Sequence, residues 1–233
     1  MVLAVLVVAL VVGAFAAYDS QLFEVRSVTV VGNTRLPVAR VVSEAGIARG
    51  ETLLRIPAEA VRARLLRDPW ILSASVERSF PDTVTIRVGE RDPVGIVAVG
   101  ATPWLVDGSG VFVAPRSALP HSPLPLIQDV GAIPTATPGA ASTNASLANA
   151  AKVVAGLSPE LKAATVSVSA RSIGETAIFT TNRVEIFIGE AIQMPQKDFV
   201  LRKILIDLRR QHAVVVSIDV RSWRKPIVRV LGR

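Results

Sequence analysis

Apolar and polar positions follow three periods along this chain, and each predicts a different kind of element. Residues 2–18 carry no charged or strongly polar side chain, whereas everything from Asp19 onward mixes short apolar runs with turn residues. A continuous apolar run of this length sits at the lower edge of what crosses a ~30 Å hydrocarbon core as a helix, and it predicts a single transmembrane helix over residues 1–18. A cleaved signal peptide with the small-residue site Ala14-Phe15-Ala16 competes with that reading. Signal peptides carry a basic n-region and an apolar core of ~7–15 residues; here the n-region is missing and the run is longer, so the anchor is preferred. No Lys or Arg precedes the run, which leaves the positive-inside rule without a lever on that side. A start at an internal methionine, with a basic cytoplasmic tail encoded upstream, is the expectation that follows.

The next seventy residues alternate between periods. Val25, Val28 and Val30 fall among polar neighbours and predict a strand over 23–31, turned by Gly32-Asn33. Val38, Val41, Val42 and Ala45 then recur at helical spacing, with Gly46 as a stop. A turn at 50–52 leads to Pro57, which suits a first-turn position, and Val61, Leu65 and Leu66 predict a second helix ending at Asp68-Pro69. Ile71, Ala74 and Val76, the turn Pro81-Asp82, and Val84, Ile86 and Val88 read as a hairpin. Strand, helix, helix, strand, strand makes a small α+β domain over 23–92. A three-stranded sheet leaves two open edges, each a row of unpaired N–H and C=O groups.

From residue 93 to 233 the pattern predicts a larger mixed α+β domain. Strands are expected at 94–99, 103–106 and 111–114, an irregular proline-punctuated stretch at 115–125, and a mobile Pro/Thr/Ala/Gly loop at 134–143. Helical spacing over 147–157 precedes strands at 165–169, 176–180 and 183–188. Residues 197–210 form an amphipathic helix with Leu201, Ile204, Leu205 and Leu208 inward, and strands at 214–220 and 226–230 close the chain. The expected sheet is antiparallel and open-edged, with its last strand beside the terminus.

Chemistry adds little to this picture. The absence of cysteine removes disulfides, thiolate metal sites and cysteine nucleophiles together. The net charge of +7 comes almost wholly from scattered arginines, with lysine only at 152, 162, 197, 203 and 225. Such a balance suits acidic partners in principle, but no basic stripe with interleaved aromatics marks a nucleic-acid surface. His121 lies in a proline-rich loop, and His212 follows Arg209-Arg210 at a helix end, where it suits the terminal carbonyls. Ser222-Trp223-Arg224-Lys225 matches the Ser-x-x-Lys of penicillin-recognising enzymes, without the accompanying elements or the helix start that chemistry needs. Asp82 and Asp107 fall in turns. No catalytic, cofactor or metal site is expected, and binding is the function class that remains.

The final strand, Ile227-Val228-Arg229-Val230, has no following segment long enough to cover it. An open edge can accept a partner strand, with main-chain hydrogen bonds supplying affinity and alternate side chains supplying selectivity. A short edge blunted by Arg229 and Arg233 is the alternative.

Four stretches carry a resemblance to a known family: 23–33 with its Gly32-Asn33 turn; Gly50-Glu51-Thr52-Leu53-Leu54-Arg55-Ile56; Trp70-Ile71 through Glu77-Arg78-Ser79-Phe80-Pro81-Asp82-Thr83-Val84 to Glu90-Arg91-Asp92-Pro93-Val94; and Leu105-Val106-Asp107 with Gly110-Val111-Phe112 and Ile218-Asp219-Val220-Arg221. In this order and spacing the chain resembles the FtsQ/DivIB family, and residues 23–92 resemble its POTRA module. The family's cytoplasmic tail has no counterpart at the front. The resemblance implies a bitopic scaffold of the bacterial divisome at the septum, with most of the chain extracytoplasmic. It implies that the last strand and preceding turn receive coiled-coil division proteins of the FtsB/DivIC and FtsL type and so influence the septal wall synthase. Carried over by position, the candidates are Ser222, Trp223, Arg224, Ile227, Val228, Arg229 and Val230, with a second surface on the POTRA edge at Ser73, Ser75, Glu77 and Ser79. A POTRA-bearing component of translocation or envelope assembly is the rival reading. The tail after Gly95 is too short, and too interrupted by helices, for a lipid-facing barrel.

Overall fold

The computed structural model describes residues 1–18, 23–48 and 50–230. The apolar run at the front folds as helix α1 (Val2–Tyr18), 17 residues long. At about 1.5 Å per residue it reaches about 26 Å, short of the ~30 Å of an average hydrocarbon core. Among the described residues no helix is long and apolar enough to cross a membrane. The chain divides into two units, Met1–Arg91 and Asp92–Arg233.

In the first unit β1 (Ser27–Val31) leads to α2 (Val38–Ala45), a 3-10 turn at Leu53–Arg55, α3 (Ala58–Leu65), β2 (Ile71–Ser79) and β3 (Thr83–Glu90). The sheet order is β1-β3-β2: β3 runs parallel to β1 and antiparallel to β2. Helical period on one side and strand period on the other meet in one core. Val41 and Ala45 of α2, Val61 and Leu65 of α3, and Val84, Ile86 and Val88 of β3 are all buried together. Gly46 ends α2 in the left-handed conformation, as a C-terminal glycine should.

Two features of this unit were not read from the residue pattern. Arg62, Arg64, Arg78 and Arg91 each donate to a backbone carbonyl, on Ala74, Ala45, Ile56 and Pro69 respectively. Scattered arginines that look like compositional bias therefore tie helix ends and strand ends together. Glu90, at the end of β3, accepts from the backbone N–H groups of Thr34, Arg35 and Leu36 at 2.8–3.0 Å and from the Thr34 hydroxyl at 2.7 Å. It clamps the loop that leads into α2.

The second unit is built on a nine-stranded sheet. Its strands are β4 (Pro93–Val99), β5 (Thr102–Asp107), β6 (Phe112–Pro115), β7 (Leu126–Gln128), β8 (Thr165–Ala170), β9 (Thr176–Thr180), β10 (Glu185–Phe187), β11 (Val215–Asp219) and β12 (Ile227–Val230). The helices are α4 (Ala145–Ala155), α5 (Pro159–Ala164) and α6 (Met194–Arg210). Across the sheet the order is β12-β11-β10-β9-β8-β7-β4-β5-β6. The sheet is mixed rather than antiparallel throughout: β4–β7, β7–β8 and β10–β11 are parallel pairs. Each arises where a helix or long connection intervenes between paired strands, which a parallel pair requires. Leu147, Val153 and Val154 of α4 and Leu201 of α6 pack with Val168, Ile178, Ile186 and Ile218 of the strands.

The outer strands meet different fates. Against β6, the Phe112 N–H donates to Ala140 O, Gly139 N–H to Phe112 O, and Ser142 N–H to Gly110 O. The compositionally simple stretch 134–143, expected to be a mobile loop, thus supplies backbone partners to one edge of the sheet. At the other edge, β12 pairs with β11 alone among the described strands.

Candidate functional site: the outer strand of the C-terminal sheet

Strand β12 is antiparallel to β11, with Asp219 opposite Ile227, Ile218 opposite Val228, Ser217 opposite Arg229 and Val215 opposite Val230. The register breaks between Val215 and Ser217, so the strand pair carries a bulge towards its far end. All four residues of β12 are exposed; Ile227 keeps 59% and Val230 50% of their surface in water. Apolar β-branched side chains exposed along an outer strand are what an incoming strand can cover, and half of the strand's backbone groups point away from β11. Arg229 is the charged position within this otherwise apolar row.

The turn before β12 is organised. The Lys225 N–H donates to Ser222 O, which closes the tight reversal. This places the Ser-x-x-Lys sequence in a strand-to-strand turn. Trp223 is half-buried; its indole N–H donates to Gln193 Oε1 at 2.9 Å, and the Arg224 guanidinium lies 5.1 Å from its ring centre. Behind the turn, Arg221 and Asp219 form an ion pair at 2.6 Å. Burial pushes the Asp219 carboxyl up, but the Arg221 guanidinium and backbone N–H, with the Arg229 charge, outweigh it and hold it below the usual carboxylate range. Arg221 is thus paired with Asp219 although its side chain stays exposed, and Arg224, Lys225 and Arg229 are exposed cations of the same turn and strand.

All seven residues expected at this site fall on β12 or its turn, and the structure brings them to one edge. The second expected surface also falls on an outer strand. Ser73, Ser75, Glu77 and Ser79 lie on β2, an edge of the order β1-β3-β2, and all four are exposed. Glu77 is engaged there with Arg87 at 3.2 Å, and the Ser79 and Thr85 hydroxyls lie 3.3 Å apart.

Three residues that support the β12 turn escaped the residue pattern: Gln193, Lys197 and Asn149. Lys197 keeps only 2% of its surface in water, and its Nζ donates to Ile188 O at 2.8 Å and Glu190 O at 2.7 Å. A signal existed, because Lys197 stands four residues before Leu201, in phase with the apolar face of α6. Asn149, buried in α4, donates to Thr176 Oγ1 and Gly189 O and accepts from the Ala191 N–H at 2.8 Å. Nothing in local spacing announces that role, since its partners lie 24 to 42 residues away. Gln193 carries no signal at all; its importance lies in a left-handed backbone, with φ of 52°.

Residues 23–91 match the family model for the POTRA domain, FtsQ-type. The chain is similar to the cell division protein FtsQ of Corynebacterium glutamicum, 29% identical over 47% of this chain and 49% of that protein. It is also similar to the FtsQ of Syntrophotalea carbinolica, 35% identical over 47% and 40% of the two chains, and to that of Streptomyces bingchenggensis, 33% identical over 70% and 62%. The chain spans about half the length of the first of these relatives and less than two thirds of the others.

Proposed function

The chain belongs to the FtsQ/DivIB family of cell division proteins, and from that premise we propose that it is a scaffold of the bacterial divisome that recruits a partner by strand addition to β12. The partner in this reading is a coiled-coil division protein of the FtsB/DivIC or FtsL type, whose docking influences septal wall synthesis. The role is binding rather than catalysis. The observation that carries it is the exposed, one-sided position of β12 at the end of a nine-stranded sheet. A strand added there gains main-chain hydrogen bonds and covers Ile227 and Val230. The exposed row on β2 is a second contact surface in the same reading.

The reading also has α1 holding the chain in the cytoplasmic membrane as a single pass, with the bulk of the chain outside the cytoplasm at the septum. A helix of 17 residues fits a bilayer by local thinning, at a modest cost per ångström of mismatch. Recovery of the full chain in the soluble fraction after alkaline washing of membranes would remove this part of the proposal.

The strand itself is tested by ending the chain after Lys225. Loss of crosslinking to an FtsB-type partner in cells is expected, while amide exchange in β1, β2 and β3 stays as in the intact chain. Partner capture undiminished by that truncation rejects β12 as the docking edge.

A further inference from the structure

We propose that Gln193 is a positioning residue for the β11–β12 turn, holding Trp223 in place by means of a backbone conformation that glycine would adopt more readily. The inference rests on the edge-strand reading above. Gln193 stands at the junction of β10 and α6 with φ 52° and ψ 36°. A residue with a β-carbon is uncommon in that region, and persists there only where its surroundings over-determine it. The Gln193 backbone carbonyl accepts the Gln196 and Lys197 N–H groups at the start of α6, but its side chain makes no capping hydrogen bond to the helix. Its carbonyl Oε1 instead accepts the Trp223 indole N–H at 2.9 Å.

The surroundings supply the over-determination. The segment from Phe187 to Ala191 is pinned from three directions. Phe187 O accepts from the Val220 N–H at 2.9 Å, at the end of β11. Lys197 reaches back from the first turn of α6 to Ile188 O and Glu190 O. Asn149 reaches from α4 to Gly189 O and the Ala191 N–H. Burial pushes the Lys197 ammonium below the usual lysine range, against the opposing pull of Glu190 and Asp219. The backbone entering Gln193 therefore has little freedom, and the side chain it carries is a fixed point. Trp223 is tied to that point four residues before β12 begins at Ile227. The attachment sets where the turn directs the first residues of the docking strand.

The test separates position from stability. Gln193→Gly keeps the left-handed backbone and removes the acceptor. The full chain carrying Q193G is expected to melt at the same temperature as the parent or higher. With 5-fluorotryptophan incorporated, the fluorine signal of Trp223 shifts while those of Trp70 and Trp104 do not. Affinity for a purified FtsB-type partner falls about 3- to 10-fold, the range of one lost hydrogen bond. Lys197→Met is a second variant, expected to speed amide exchange over 187–193 and to weaken the same partner; if it fails to fold, Q193G still decides. Parent-like affinity in Q193G, or an unmoved Trp223 signal, overturns the proposal. Should the chain ending after Lys225 bind the partner as well as the parent, the edge reading fails and this inference falls with it; loss on truncation with parent-like Q193G sinks this inference alone.

Discussion

Replacing Glu90 by glutamine isolates the electrostatic part of the clamp at the start of α2. One carboxylate accepts three consecutive backbone N–H groups, those of Thr34, Arg35 and Leu36, together with the Thr34 hydroxyl. Burial pushes the Glu90 carboxyl up, yet these donors dominate and bring it from 4.5 down to about 2. Taken at face value, that displacement is worth about 3 kcal/mol; partial exposure to water reduces it to about 1–2 kcal/mol. Glutamine keeps the shape and one carbonyl but turns an NH2 group towards the same donors. For a domain of this size the loss lowers the melting temperature of the POTRA unit by roughly 5–15 °C at pH 7. The sign with pH follows from the direction of the shift. A carboxyl depressed in the folded state stabilises fully above its unfolded value near 4.5 and loses that contribution as pH falls towards about 2. The gap between Glu90→Gln and the parent is therefore wide at pH 7 and closes between pH 5 and 2. Thermal unfolding of the full chain, with amide exchange in β1, β2 and β3 reporting this unit separately, measures both. An equal gap at pH 7 and pH 3, or none at pH 7, would refute the electrostatic account.

Two further outcomes follow from backbone and buried polar geometry. Gly32 has φ of 90°, and a β-carbon there would run into the carbonyl oxygen of Val88; Gly32→Ala is expected to destabilise the POTRA unit by about 2–4 kcal/mol, read as faster exchange in β3. Asn149→Leu strands the Ala191 N–H and the Gly189 carbonyl in the interior; a loss of about 2–4 kcal/mol in denaturant unfolding of the C-terminal unit is expected, and a loss below about 0.5 kcal/mol would deny the hub its role.

The residue pattern disclosed elements wherever they were long enough to show a period. The hairpin of β2 and β3 and the amphipathic helix α6 came through with boundaries within a few residues. Two short elements did not: β7 has three residues and α5 six, and neither stands out from its prolines and alanines. Yet β7 bridges β4 and β8 through parallel pairs, so the sheet's continuity depends on the strand least visible in the sequence. The strand that carries the candidate site was legible as an apolar run behind Pro226. Its supports were not, because Asn149, Lys197 and Gln193 act through partners that only tertiary folding brings near.

The two ends of the long sheet explain why one edge is available and the other is not. Every sheet that does not close presents two edges, and an unprotected edge invites the wrong strand as readily as the right one. At β6 the chain answers with its own backbone: Gly110, Phe112, Gly139, Ala140 and Ser142 exchange the hydrogen bonds that an intruding strand would take. The segment supplying them is rich in Pro, Thr, Ala and Gly, a composition with little tendency to form a strand of its own and recruit further ones. At β12 no comparable segment lies outside the strand among the described residues, and protection is limited to the strand's short length and the charge of Arg229. A second copy of this chain brings another Arg229 to the same edge, together with Arg224 and Lys225 from the turn, so self-pairing sets like charges against one another. Like charges directly opposite destabilise a strand pair. In the proposed edge-strand reading, this asymmetry makes β12 the side at which a different polypeptide would add, with self-association disfavoured.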